Sequence, residues 1–130
     1  MGELELRLST LPKTWIIDID GVIFPHNGYM SRSASPVENP LPGVVDFISK
    51  IPDTDTVILT SSRSSSLREL TEKSLRANGI AFDLLVLDLP PGQRILIDDC
   101  KPSGLKTAYS VNLVRDTGLE DVSLQADVRM

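Results

Sequence analysis

Three short runs of this chain end in side chains able to do chemistry. TWIIDIDG closes on Asp18, Asp20 and Gly21, DTVILTSS on Thr60, Ser61 and Ser62, and RILIDD on Asp98 and Asp99. Taken singly, an acid after a strand is most often a turn or cap residue. Taken as an ordered set, these residues ask for more. Four carboxylates gathered in one crevice repel one another and raise each other's pKa. A divalent cation removes that conflict, and a ligand set of oxygens alone suits a hard ion such as Mg²⁺.

Elements able to position such a set alternate along the chain. WIIDI, DTVILTSS, FDLLVLDL, RILIDD and AYSVNLV read as strands, because a short continuous apolar run is what a parallel strand covered on both faces requires. Between the first two, PGVVDFISKI places Val44, Val45, Ile48 and Ile51 on one helical face, and Pro52 stops it. The span 64–78 reads as the clearest helix, with Ser66 and Glu69 as a capping box and Leu67, Leu70 and Leu75 as an apolar stripe. Glu69 with Lys73 and Glu72 with Arg76 add i,i+4 pairs, and Asn78-Gly79 suits the stop. Strands alternating with helices predict an α/β fold, a Rossmann-like three-layer sandwich around a central parallel sheet with right-handed crossovers. In such a sheet the ligand crevice lies beyond the carboxyl ends of the strands, where all three polar clusters fall.

Length and charge narrow the class. The 130 residues suit one domain, 1–130, and the net charge of −5 with a pI near 4.7 argues against binding nucleic acid or an anionic membrane by bulk charge. The N-terminal MGELELRLSTLPK has no apolar signal segment, and no run reaches membrane-span length. A single cysteine, Cys100, allows no internal disulfide, which suits a cytoplasmic setting, and Cys100 is expected to be a buried structural residue. The serines of SSRSSS are expected to serve as turn and N-cap residues.

DIDGVIF resembles the first motif of the haloacid dehalogenase-like (HAD) phosphohydrolases, VILTS their second and ILIDD their fourth, over roughly residues 14–115. The resemblance implies a phosphomonoester hydrolase working through an aspartyl-phosphate. Asp18 would be the nucleophile and Asp20 the general acid/base. Thr60, with Ser61 and Gly21 beside it, would hold the phosphoryl group. Mg²⁺ would be bound by Asp18, the Asp20 carbonyl and Asp98, joined by Asp99. It also implies a first strand flanked by the Thr60 and Asp98 strands. The chemistry suits these residue types: a carboxylate can attack phosphorus and split one hard step into two, a second acid can move the protons, and the metal offsets charge.

Two features depart from that pattern. Leu89-Pro90 stands where the family carries a lysine, so the cation must come from Lys101, Lys106 or Arg94. Lys101 is preferred, three residues past Asp98, whereas Arg94 would open the same strand at its far end. The insert after the first strand, 22–40, is too short for a cap domain, which takes at least ~50 residues. A capless site is open unless a homo-oligomer covers it. His26, Asn27 and Tyr29 are expected to be ordinary loop polar groups there. The phosphorylated substrate is a sugar phosphate or another phosphorylated metabolite on this reading. A receiver domain, which also clusters acids around Mg²⁺, has its acidic motifs in the opposite order. A HAD-like binding or regulatory domain without turnover is the alternative.

Overall fold

The computed structural model of the protein describes residues 3–26 and 37–130. Asn27, Tyr29 and most of the 22–40 insert fall outside the described residues. The fold is mixed α/β with parallel sheets. Its strands are β1 (Leu4–Leu8), β2 (Thr14–Asp18), β3 (Thr56–Thr60), β4 (Leu84–Val86) and β5 (Val122–Ala126), with helices α1 (Val44–Ser49) and α2 (Arg68–Ala77) between them.

β2, β3 and β4 form one parallel sheet in that order, with Ile17 beside Leu59 and Leu59 beside Leu85 across it. Those three side chains are buried, along with Val44, Phe47 and Ile48 of α1 and Leu75 of α2. Trp15 meets Phe47 edge-to-face at 5.9 Å and so joins α1 to this face. Val44, Phe47 and Ile48 of α1 and Leu75 of α2 belong to one core cluster with Ile17, Leu59 and Leu85. The other face is left open. Its register row Ile16, Ile58 and Leu84 has Ile16 and Leu84 exposed.

Both helices are shorter than the sequence suggests. α1 stops at Ser49, and its buried side is Val44, Phe47 and Ile48, with Val45 exposed. The 64–78 segment begins as a 3₁₀ turn, Ser65–Leu67, capped by Ser64, whose hydroxyl accepts the Ser66 N–H at 3.2 Å. The Ser66/Glu69 box is not formed, and the buried side of α2 is Thr71, Ser74 and Leu75, with Leu70 exposed. Glu72 pairs with both Arg68 and Arg76.

The larger corrections concern the strands. RILIDD and AYSVNLV form none; Ile95 and Ile97 are 82% and 89% exposed. Among the described residues the strand resembling the family's first is therefore an edge strand, paired with β3 alone and not flanked by an Asp98 strand. Two further strands, β1 and β5, lie outside the predicted set. β1 and β5 pair in parallel as a separate two-stranded sheet, with Leu6 of β1 buried. The alternation Leu4, Leu6, Leu8 is the period-2 signal for β1. Cys100 is exposed, not buried. No helix among the described residues is long and apolar enough to cross a membrane.

Candidate functional site

The carboxyl ends of β2 and β3 bring the first two clusters together. Register sets Asp18 directly beside Thr60, and the Thr60 hydroxyl donates to Asp18 Oδ1 at 3.1 Å. Beyond Asp18 the chain turns sharply: the Val22, Ile23 and Phe24 N–H groups converge on the Ile19 carbonyl, and Gly21 adopts φ +88°. That conformation favours glycine, and an added Cβ would stand 3.1 Å from Arg115 Cγ. The turn also buries Ile19, Ile23 and Phe24, which anchors the acids at the rim of the core.

The two acids of DID have different surroundings. Asp18 is 40% exposed. Burial raises its carboxyl above the usual aspartate range, against the opposing pull of the Thr60 hydroxyl and the Arg94 guanidinium. Asp20 is enclosed by the Arg63 guanidinium, with Nε at 3.1 and 3.2 Å from its two oxygens and Nη2 at 2.9 Å from Oδ1, while the Ser61 hydroxyl donates to Oδ2 at 2.8 Å. Arg63 is itself buried. It also binds Glu38 through Nη1 at 2.9 Å and Nη2 at 2.7 Å, donates to Thr71 at 3.1 Å and lies over the Phe24 ring. Burial opposes its charge, but Glu38 and Asp20 outweigh it and hold the guanidinium pKa above its usual value. Asp20 thus has a structural task the sequence did not suggest. Arg63 hides in SSRSSS, where it reads as part of a polar turn.

The third cluster is not brought to the first two. Asp98 and Asp99 are exposed; Asp98 Oδ1 accepts the Asp99 N–H at 2.9 Å, and the Asp99 carbonyl accepts from the Thr107 hydroxyl. Among the described residues no group of three or more His, Cys, Asp or Glu side chains is placed to hold a metal ion. Ser61 and Gly21 do reach the site, as hydroxyl partner of Asp20 and as turn residue. Lys101 does not take the cationic place beside Asp18. It is exposed in the turn closed by the Cys100–Lys106 bridge, its N–H donating to the Leu105 carbonyl at 2.8 Å. Arg94 takes that place, with Nη2 3.7 Å from Asp18 Oδ1. The reason is the missing strand. Without RILIDD laid along β2, Arg94 is not carried to the far end of the sheet but stays at its carboxyl end. His26 is exposed, and its N–H donates to Asp116 Oδ1 at 2.8 Å.

The side chains as arranged therefore do not fit the Mg²⁺ set that the resemblance implies. Asp18 offers one carboxylate, that of Asp20 is committed to Arg63 and Ser61, and Asp98 and Asp99 bond within their own segment. What the site offers with its own groups is a half-exposed Asp18 carboxylate, held by the Thr60 hydroxyl and with the Arg94 guanidinium alongside. Surface concavities along α2, lined by Glu69, Glu72 and Arg76 and by Arg68, Ile80 and Phe82, include neither Asp18 nor Thr60. No family model matches the chain, and neither does any curated protein or solved structure.

Proposed function

We propose that the chain is a HAD-like phosphomonoester hydrolase without a cap domain, with Asp18 as its nucleophile. The observation that carries this reading is the grouping of Asp18 with Thr60 and Arg94 at the carboxyl end of a parallel sheet. An Asp18 oxygen attacks phosphorus, the P–O ester bond breaks with its electron pair leaving on the alcohol oxygen, and water then hydrolyses the aspartyl-phosphate to return the carboxylate and inorganic phosphate. Thr60 orients Asp18 through its hydroxyl, and Arg94 offsets phosphoryl charge. Mg²⁺ would supply further charge neutralisation; it could join this set only if Asp98 or Asp99 were carried to Asp18.

The alternative, a phosphate-binding or regulatory domain without turnover, is favoured by one observation: the Asp20 carboxylate is enclosed by Arg63 and Ser61. An acid held in this way must leave Arg63 before it can move a proton. Hydrolysis of an aryl phosphate, whose leaving group needs little protonation, compared with an alkyl phosphate separates the two readings. Turnover of the aryl ester with and without added Mg²⁺, lost in Asp18→Asn, supports the hydrolase. Phosphate binding without turnover of either ester supports the binding domain.

A further inference from the structure

The strand registers put the candidate site on the open side of the β2–β3–β4 sheet. Alternate residues of a strand share a face. Asp18, Thr60 and Val86 therefore form one row across the three strands, and Ile16, Ile58 and Leu84 form the next. The Thr60 hydroxyl reaches Asp18 because both side chains stand on this side. Ile17, Leu59 and Leu85 point the opposite way, into the core. Ile16 is 54%, Leu84 55% and Val86 37% exposed. Neither these three nor the half-buried Ile58 belongs to the core cluster.

The Asp18–Thr60 pair and the four apolar side chains are thus one continuous surface. Ile16 lies ~7 Å from Asp18 along β2, and Val86 ~10 Å from it across the sheet. A ligand that extends over the sheet from an anionic end at Asp18, Thr60 and Arg94 meets only Ile16, Ile58, Leu84 and Val86 in its next several atoms. None of these side chains can donate or accept a hydrogen bond. The hydroxyls of a sugar would lose water there without gaining a partner, whereas an apolar body gains by leaving water. The apolar footprint is on the order of 100 Å², set by strand spacing and rise. Each partner of a stable protein complex covers roughly 800 Å², so the patch suits a small molecule.

We propose that the ligand of this site is a phosphomonoester of an apolar alcohol, alkyl or aryl, whose apolar part lies on the open sheet face over Ile16, Ile58, Leu84 and Val86. The proposal rests on reading Asp18, Thr60 and Arg94 as the phosphoryl site. The phosphoryl group sits at the Asp18 end of its row, and the chain or ring crosses Ile58 toward Leu84 and Val86. Arg94, with Nη2 3.7 Å from Asp18 Oδ1, supplies the opposite charge at the anionic end.

Calorimetric titration of the full chain with alkylphosphonates, which carry the same anionic end and cannot be hydrolysed, tests the proposal below their micelle concentrations. Octylphosphonate should bind about tenfold tighter than butylphosphonate, the gain from four more methylenes each roughly half buried on a flat face. Ile16→Thr/Leu84→Thr keeps β-forming residues on both strands and should cut that preference to within about threefold, with an unchanged melting temperature. Leu70→Gln, at an exposed apolar position on α2, should keep the preference in full. Arg94→Ala should weaken both phosphonates by a similar factor. Equal affinity for the two chain lengths, or no binding of either, overturns the proposal. So does a preference that the double variant retains, or octylphosphonate affinity indifferent to Arg94. A clear drop in the melting temperature of the double variant, or a wild-type dimer that the double variant dissolves, overturns it by showing that the chain itself or a second copy covers the face. Turnover is scored separately: octyl phosphate should exceed butyl phosphate in kcat/KM by the same factor, through KM. If neither ester is hydrolysed while the phosphonate pattern holds, the hydrolase reading fails and the class of ligand stands.

Discussion

Arg63 Nη2 stands 2.9 Å from Asp20 Oδ1 and 2.7 Å from Glu38 Oε1, so one buried guanidinium ties the turn after β2 to the segment entering α1. The side chain of Arg63 is 1% exposed and its two partners 14% and 11%. Removing the cation leaves two carboxylates facing each other in a site mostly closed to water.

Arg63→Met should therefore destabilise the fold by about 3–5 kcal/mol, as loss of one partner from a buried ion pair does. Arg63→Lys should recover only part of that loss, because an ammonium cannot reproduce the fork that binds both acids. Urea denaturation monitored by dichroism measures both. A Met variant as stable as wild type would remove Arg63 from the framework of the site.

Arg94 and Lys101 separate by position. Arg94→Ala should weaken competitive inhibition by inorganic phosphate roughly tenfold or more, as expected from losing a charge-assisted contact of about 1.5–3 kcal/mol. Lys101→Met, in the exposed turn closed by the Cys100–Lys106 bridge, should leave it within about twofold. If phosphate inhibition is absent from the wild type, calorimetric titration with phosphate measures the same pair of variants. The reverse ranking would return the cationic role to Lys101.

The raised pKa of Asp18 has two consequences of opposite sense with pH. A group whose folded pKa lies above its unfolded value contributes stability that is fully present below the unfolded pKa and lost as pH rises through the folded one. Asp18→Asn should remove that acid-side contribution. Catalysis needs the ionised carboxylate, so the acid limb of the rate profile should lie above an ordinary aspartate and move to still higher pH in Arg94→Ala, which loses a lowering influence. A limb that moves lower in that variant contradicts the pairing.

Asp55 offers an independent test away from the site. Burial works against its charge, but hydrogen bonds from Trp15 Nε1 at 2.9 Å and the Lys13 N–H at 3.0 Å outweigh it and hold the carboxyl below the usual range. Its contribution is present above the unfolded pKa, ~3.9, and lost as pH falls through the folded value. Asp55→Ala should cost about 1–3 kcal/mol by orphaning the indole N–H. Fluorescence of Trp15, the sole tryptophan, should report both the mutation and the acid transition.

Local pattern alone determined β2, β3, both helices as elements and the meeting of Asp18 with Thr60, because short apolar runs and parallel register depend on neighbours in sequence and on a simple crossover rule. The period-2 run of β1 was equally readable, though masked by its charged neighbours. Tertiary structure decided the rest. RILI is apolar enough for a strand, yet a strand exists only where another strand supplies its hydrogen bonds, and here that pairing is not made. That one absence leaves Asp98 and Asp99 outside the site and keeps Arg94 beside Asp18 in place of Lys101. The burial of Arg63 between Asp20 and Glu38 spans 43 and 25 residues of chain, a pairing that neither spacing nor composition encodes.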